Sequence, residues 1–178
     1  ILQAAEQAFG AGGFRGGNLA DIAADAGIRR PSLLYHFKTK ERLYAEVVSR
    51  GFAGMSEAAA AGMVASGDFR ERLSSVVGGL MAFAAEHPGL LQIIAREIIE
   101  PTPQAGEVHA RMAALVDVLV GFLESQGAGQ LHTEIPVRQS VLQLISGFLL
   151  RNAGGPSGGL LWSDEDFTLA TARRLLLE

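Results

Sequence analysis

The sequence predicts an all-α protein of about nine helices. Apolar residues make up 48% of the 178 residues, Ala and Leu are abundant, and aromatic residues contribute only 7%. Apolar side chains recur at helical spacing in segments that end at glycine or proline, and no stretch alternates apolar and polar residues as a half-buried strand would. A chain of this length can bury a substantial core in one or two compact units.

The first predicted helix runs from Ile1 to Phe9, with its apolar residues on one stripe. The glycine-rich run 10–17 should end this helix, with Phe14 packed back into the core. A phosphate-binding loop is the less favoured interpretation of this run, because the glycine spacing does not match a dinucleotide fingerprint and no strand precedes it.

The next segment has the layout of a helix-turn-helix. Asn18 is a suitable N-cap for a helix over Leu19–Ala26, and Asp21 three residues later resembles a capping box. Gly27 breaks this helix and can take the positive φ that a tight turn requires. A second helix follows from about Arg30 to Phe37.

Packing of these two helices fixes which side chains face inward and which face outward. The inward set is apolar: Ile22, Ala23, Ala26, Ile28 and Leu33. The outward set on the second helix is polar, cationic and aromatic: Arg29, Arg30, Ser32, Tyr35 and His36. Arginine pairs bidentately with guanine in the major groove, and Tyr, His and Lys reach phosphate oxygens. We therefore expect the second helix to read DNA.

The charge distribution supports that expectation. The segment 28–44 carries five Lys or Arg residues, among them the only lysines of the chain, Lys38 and Lys40, against the single acid Glu41. The first 50 residues have a net charge of +2, whereas residues 51–178 have a net charge of −6. A basic end on an acidic body is expected when one end of a protein contacts nucleic acid.

The remaining helices are separated by clear breaks. Thr39 should cap a fourth helix that runs to about Ala60. The start of this helix places Lys40 beside the DNA-reading helix. There the helix dipole and the ammonium group both attract a phosphate. Five further helices are predicted at about 68–86, Leu90–Glu100, Glu107–Ser125, Val137–Asn152 and Asp164–Leu177.

A ligand pocket in the C-terminal part is a second hypothesis. Arg96 and Glu97 interrupt an apolar run, so they face solvent, form a pair or line a cavity, and the solvent interpretation is favoured. If a pocket exists, either residue could be its polar anchor. The candidate ligand-binding residues are Met81, Phe83, Arg96, Glu97, Met112 and Phe122, of which the apolar ones are more often plain core.

Other kinds of site are disfavoured. The chain has no cysteine, its histidines are scattered, and residues 155–159 match G-x-S-x-G without the preceding strand that a nucleophile elbow needs. We therefore expect no catalytic residue, no metal and no cofactor. No apolar run reaches the ~18 residues of a membrane span, no leader pattern opens the chain, and we expect a cytoplasmic protein whose natural N-terminus lies ahead of Ile1.

Residues 1–48 resemble the TetR family of bacterial transcriptional regulators. The segments that carry the resemblance are ILQAAEQAF, NLADIAADAGI and RRPSLLYHFKTKERLY, in that order. The resemblance implies an all-helical dimeric repressor, with a DNA-binding domain over residues 1–44 and a domain for ligand binding and dimerisation over residues 45–178.

Position by position, the resemblance places Arg29, Arg30, Pro31 and Ser32 at the base-reading start of the recognition helix. It places Tyr35, His36 and Lys40 at positions that contact the DNA backbone. Two residues depart from the family. Arg29 stands where relatives often have a capping Ser or Thr, and Leu34 stands where many have a Tyr, so one backbone contact is missing.

For the whole molecule, the resemblance implies a homodimer that binds double-stranded DNA at a palindromic operator and leaves it when a small apolar effector binds. Each of the last two helices carries an apolar stripe. The pattern alone allows these stripes to be internal core, whereas the resemblance favours a dimer interface. The residues concerned are Val137, Val141, Leu144, Ile145, Phe148, Phe167, Ala170 and Leu175. A helical enzyme for a phosphorylated substrate and an all-α interaction module without DNA are the alternatives.

Overall fold

The computed structural model describes residues 1–131, 136–153 and 168–177. These residues form nine α-helices and no strand, which confirms the predicted all-α class. The helices are α1 Leu2–Gly16, α2 Leu19–Asp25, α3 Arg30–His36, α4 Lys40–Met63, α5 Phe69–Glu86, α6 Pro88–Ile99, α7 Ala105–Gln126, α8 Val137–Ala153 and α9 Thr168–Leu177.

The first helix continues beyond its predicted end at Phe9. It runs through the glycine cluster to Gly16, with a kink at Gly13, where φ is 67° and ψ is −179°. The Phe14 ring then packs back as expected, with its centroid 6.3 Å from that of Phe9 and 5.2 Å from that of Tyr44. Glycine thus bends the chain inside the helix and does not end it where the sequence pattern suggested.

Two glycines let α1 and α6 approach closely. A Cβ atom added at Gly10 would lie 2.7 Å from the Cα atom of Gly89, and one added at Gly89 would lie 2.7 Å from the Glu6 carbonyl oxygen. The α6 helix begins at Pro88, two residues before the predicted start, because proline is well suited to a first helical turn. The N-terminal helices are therefore in backbone contact with the C-terminal ones.

The long helix α4 connects the two parts of the chain. It packs against α1 at one end and most extensively against α5. A Cβ atom added at Gly62 of α4 would lie 2.4 Å from the backbone nitrogen of Val76 in α5, so the two backbones touch there. A reciprocal capping box between Asp68 and Glu71 starts α5. Helices α7, α8 and α9 complete the C-terminal part, with α8 packed against α6, α7 and α9.

The described ranges contain neither a metal cluster nor a single membrane span. Within them, no group of three or more His, Asp or Glu side chains is arranged to hold a metal ion. No single helix there is long and apolar enough to cross a bilayer; only α5 and α6 together meet that criterion, across a bend of 96°. The G-x-S-x-G match at 155–159 lies outside the described residues.

Candidate functional site

The α2–turn–α3 unit has the geometry of a helix-turn-helix. The turn is held by hydrogen bonds from the backbone N–H of Gly27 to the Ala24 carbonyl (2.9 Å) and from Ile28 to the Ala23 carbonyl (2.9 Å). Gly27 has φ of +67°, the left-handed conformation that was expected of it. The inner faces meet through Ile22, Ala23 and Leu33, all essentially without solvent exposure.

The start of α2 is capped in a different way from the one predicted. Asn18 is the N-cap, and its side-chain oxygen accepts from the backbone N–H of Ala20 at 2.9 Å. The predicted capping box with Asp21 is therefore wrong, because the acceptor reaches the second helical residue and not the third. The cap nevertheless fixes where α2 begins, and with it the angle at which α2 supports α3.

The outward face of α3 is open to solvent. Six of the seven residues predicted to contact DNA are exposed: Arg29, Arg30, Pro31, Ser32, Tyr35 and His36. The Tyr35 side chain is 75% exposed and meets the His36 ring edge-on, with centroids 5.6 Å apart. The Tyr35 hydroxyl and ring are thus accessible to a molecule that approaches this face of α3.

The first turn of α3 departs from the usual capping arrangement. Arg29 is the N-cap and makes no side-chain capping hydrogen bond. Pro31 has no backbone N–H, and the Ser32 N–H donates to the Arg29 carbonyl at 2.9 Å, so backbone bonds alone close this turn beside the guanidinium groups of Arg29 and Arg30. Leu34 is half-buried and offers no polar atom to a phosphate.

The two lysines that follow α3 have different surroundings. The Lys40 ammonium donates to the Arg15 carbonyl oxygen at 3.0 Å and lies 4.9 Å from the Phe14 ring centroid, so it ties α4 to the end of α1. The Lys38 ammonium lies 5.0 Å from the Tyr35 ring centroid, on the exposed side. The sequence prediction named Lys40 and left out Lys38, although Lys38 is equally visible in the sequence.

The start of α4 carries an ordinary cap and a perturbed carboxyl. The Thr39 hydroxyl accepts from the Arg42 backbone N–H at 3.2 Å, which confirms the predicted cap. A hydrogen bond from its own backbone N–H, then one from the Thr39 side chain, lowers the pKa of Glu41. Both effects favour negative charge at this helix N-terminus, as the macrodipole does.

Glu97 does not face solvent, so the favoured sequence interpretation is wrong for this residue. Its carboxylate is only 2% exposed and accepts from the Tyr44 hydroxyl (2.6 Å) and from the Thr102 backbone N–H (2.9 Å). Burial, followed by the hydrogen bond to Glu97, raises the pKa of Tyr44 well above its ordinary value. Tertiary packing thus supplies Glu97 with a donor from a distant part of the chain, in addition to the nearby Thr102.

Arg96 joins the same contact from the other side of α6. Its guanidinium donates to the carbonyl oxygens of Gly10 (3.0 Å) and Ala11 (2.7 Å) in the second half of α1. One helical turn further back along α1, the Glu6 carboxylate lies 2.9 Å from His87 Nδ1. We call the contacts of α1 and α4 with α6 the interdomain joint; its residues are Glu6, Gly10, Ala11, Tyr44, His87, Gly89, Arg96 and Glu97.

A cavity lies elsewhere in the C-terminal part, between α5, α7, α8 and α9. Its volume is about 110 Å³, and of the predicted ligand-binding residues only Met81 and Phe122 line it. Phe83 instead stacks on His87, with ring centroids 4.3 Å apart. Met112 packs against the core without lining this cavity. Phe83 lines a separate cleft beside α1 and α4, and the assignment of Phe83 and Met112 to a ligand site stays a prediction.

The stripe predicted for the dimer interface divides into two sets. Val141, Leu144, Ile145 and Phe148 line the cavity between α8 and its neighbouring helices, and their part in a dimer interface stays a prediction. Val137 and Leu175 are half-buried and Ala170 is exposed, whereas Phe167 lies outside the described residues. The large apolar side chains that α7 and α8 do expose are Val118 (54%), Leu142 (41%) and Leu150 (57%).

Comparison with known proteins gives one family. The sequence model of bacterial regulatory proteins of the tetR family matches residues 1–47, which contain α1, α2, α3 and the start of α4. A curated relative, the HTH-type transcriptional repressor NicS of Pseudomonas putida, is 26% identical over 150 residues, which cover 82% of this chain and 71% of the relative.

Solved structures of such regulators have the same fold. The fatty acid degradation regulator FadR of Bacillus halodurans superposes with a TM-score of 0.78 at 15% identity, covering 98% of this chain and 95% of that one. The TetR family transcriptional regulator PfmR of Thermus thermophilus gives 0.67 at 19% identity, covering 97% and 92%. At these identities the likeness concerns the fold alone.

The helix-turn-helix geometry, the exposed cationic face of α3, the family model and the curated relative therefore agree. The relatives named above are transcriptional regulators, and none of them is described as an enzyme. Residues 1–47 match the tetR family of bacterial regulatory proteins, and the chain is a DNA-binding transcriptional regulator.

Proposed function

We propose that this protein is a homodimeric repressor that holds a palindromic operator and releases it when a small apolar effector binds. Residues 1–44 act as the DNA-binding domain, and residues 45–178 provide the effector site and the dimer contact. The observation that carries the proposal is the orientation of α3, whose apolar face is buried on α2 while its cationic and aromatic face is exposed. Such a regulator acts on chromosomal DNA in the bacterial cytoplasm.

The start of α3 is the base-reading part of this surface. The guanidinium groups of Arg29 and Arg30 have the fork geometry that matches O6 and N7 of guanine. Ser32, one position beyond Pro31, can donate to or accept from a base edge. Because Pro31 needs no partner for a backbone N–H, it fits the crowded first turn, where it packs close to DNA without an unpaired donor.

Backbone contacts follow along the same helix. Tyr35 and His36 are exposed and carry groups that donate to phosphate oxygens. Lys38 adds a cation beside Tyr35. Lys40 contributes through the position of α4, since its ammonium already donates to the Arg15 carbonyl and its remaining donors are available to a phosphate that approaches the helix start.

A dimer is needed to place two α3 helices on one operator. Two helix-turn-helix units on a two-fold axis read half-sites one helical turn apart, roughly 34–36 Å. We assign the contact to α8 and α9, and on α8 to the outward residues Leu142 and Leu150, because the inward stripe of that helix is used by the cavity. Ala170 is the small outward residue of α9.

The proposed route from effector to DNA is α5 and then α4. Val76 lines the cavity from α5, and its backbone touches α4 at Gly62. A ligand that moves α5 therefore displaces α4, which begins shortly after α3. The effector regulates only if it binds better to the conformer in which the two α3 helices are wrongly spaced for the operator.

Selection of bound sequences from random double-stranded DNA tests the function as a whole. We expect enrichment of a palindrome whose half-sites are about one turn of the DNA helix apart. The two-fold symmetry of a dimer requires two half-sites related by the same symmetry. Enrichment of an asymmetric site would contradict the dimer, and an absence of any enriched site would contradict sequence-specific DNA binding.

Substitution of both arginines tests the assignment of the surface. Arg29→Ala with Arg30→Ala should weaken binding to the selected site by about 1–3 kcal/mol for each good base contact that is removed, and should relax its sequence preference. The matched control is Arg70→Ala, an exposed arginine at the start of α5, which should leave affinity unchanged. Unchanged sequence specificity in the double variant would contradict the assignment of α3 as the helix that reads the bases.

A further inference from the structure

The cavity between α5, α7, α8 and α9 has an unusually uniform lining. Among the described residues that surround it, fourteen carry apolar side chains and one, Thr168, carries a hydroxyl. Val76, Leu80 and Met81 come from α5, and Leu144, Ile145 and Phe148 come from α8. These lining residues offer no charge and no amide to a bound molecule.

An ionised ligand would therefore have no partner among these residues. Transfer of a carboxylate from water into apolar surroundings is strongly unfavourable unless a cation or several donors receive it. The arginine next to the lining residue Ala172 is Arg173, which is exposed and donates to the Ser74 hydroxyl at 2.7 Å on the outside of the α5–α9 contact. Its charge is engaged there and not in the cavity.

The cavity volume limits the size of the ligand. At about 110 Å³ it is somewhat smaller than the cavity of roughly 150 Å³, lined by Leu, Ile and Phe, that stays dry and binds benzene or xenon in another protein. A molecule of this size is one ring or a short branched chain.

From this lining and size, and resting on the proposed function, we infer that the effector site takes a neutral hydrocarbon-like ligand about as large as one benzene ring. A ring that bears a carboxylate binds more weakly, because the described lining offers nothing to replace the water around that charge.

Thermal unfolding of the full chain with two matched probes tests this. Benzene should raise the Tm by a few degrees in a concentration-dependent manner, because it binds the folded state only. Benzoate at the same concentration should give a smaller rise or none. Leu144→Phe, which fills part of the cavity with an apolar group, should abolish the benzene shift, whereas Ala82→Phe at an exposed position of α5 should keep it. If Leu144→Phe does not fold, Ala172→Val serves as the filling variant.

The outcomes distinguish the ligand class from the regulatory role. A benzoate shift equal to the benzene shift, no shift with either probe, or a benzene shift that survives in the filling variant would each overturn the inference. Operator affinity is measured separately under the same conditions. Benzene binding that leaves operator affinity unchanged would support the inferred site and refute the effector step of the proposed function.

Discussion

Two contacts set the position of α3, one directly and one through α1 and α4, and they differ in chemistry. The contact of α2 with α3 is apolar and local, formed by Ile22, Ala23 and Leu33 within a short stretch of chain. The interdomain joint connects residues more than fifty positions apart through side-chain hydrogen bonds, such as that from the Tyr44 hydroxyl to Glu97 at 2.6 Å.

The difference fits two mechanical tasks. An apolar contact between interlocked helices has few alternative arrangements, so α3 keeps a fixed orientation on α2. Hydrogen bonds from long side chains can exchange partners with a small change of geometry, so the joint can pass between discrete arrangements. The proposed function needs both, because in that proposal the surface of α3 stays rigid while its position relative to a second subunit changes.

The largest effect should come from weakening the rigid contact. Leu33→Ala removes a fully buried side chain and leaves a cavity between α2 and α3, so the free energy of unfolding should fall by about 2–5 kcal/mol. Chemical denaturation followed by circular dichroism measures it. Leu34→Ala, at the neighbouring half-buried position, should cost clearly less, and equal costs would mean that the α2–α3 contact is not specific.

A smaller effect should follow from removing one donor at the joint. Tyr44→Phe leaves the buried Glu97 carboxylate with fewer donors, and stability should fall by about 1–3 kcal/mol. Because the folded-state pKa of Tyr44 is raised, wild-type stability should also fall as the pH rises above about 10, and this decline should flatten in the variant. Identical stability–pH profiles above that pH would contradict the assigned hydrogen bond. Tyr35→Phe, at an exposed tyrosine, is the control.

The smallest effect should come from the backbone approach at the joint. Gly10→Ala places a Cβ atom 2.7 Å from the Cα atom of Gly89, so α1 and α6 must separate at a cost of about 1–2 kcal/mol. At Gly16 the same substitution meets no atom within 4 Å, and Gly16→Ala should be at least as stable as the wild type. Equal Tm values for the two variants would show that α1 and α6 do not touch in solution.

The predictions that succeeded share a local cause. Gly27, the Thr39 cap and the inward set around Leu33 depend on residues within a few positions of one another, and one sequence contains all of that information. The predictions that failed depend on distant partners. Glu97 resembles a solvated charge within its own helix, and nothing near it in sequence reveals that Tyr44 is its partner.

The α8 stripe illustrates the same limit. The spacing of Val141, Leu144 and Phe148 correctly places them on one side of a helix, but periodicity does not say whether that side meets another subunit or the interior. Only the packing of α5, α7 and α9 shows that this side of α8 borders a cavity. Lys40 is a further case, since its charge was visible while its bond to the Arg15 carbonyl was not.

The sequence by itself determined the all-α class, the helix-turn-helix and the outward cationic face of α3, because helical periodicity, caps and a turn glycine act within about one or two turns of chain. The tertiary structure alone decided the interdomain joint and the apolar cavity. Each of these is made by side chains from helices far apart in sequence, whose meeting depends on how the whole set of helices fills space.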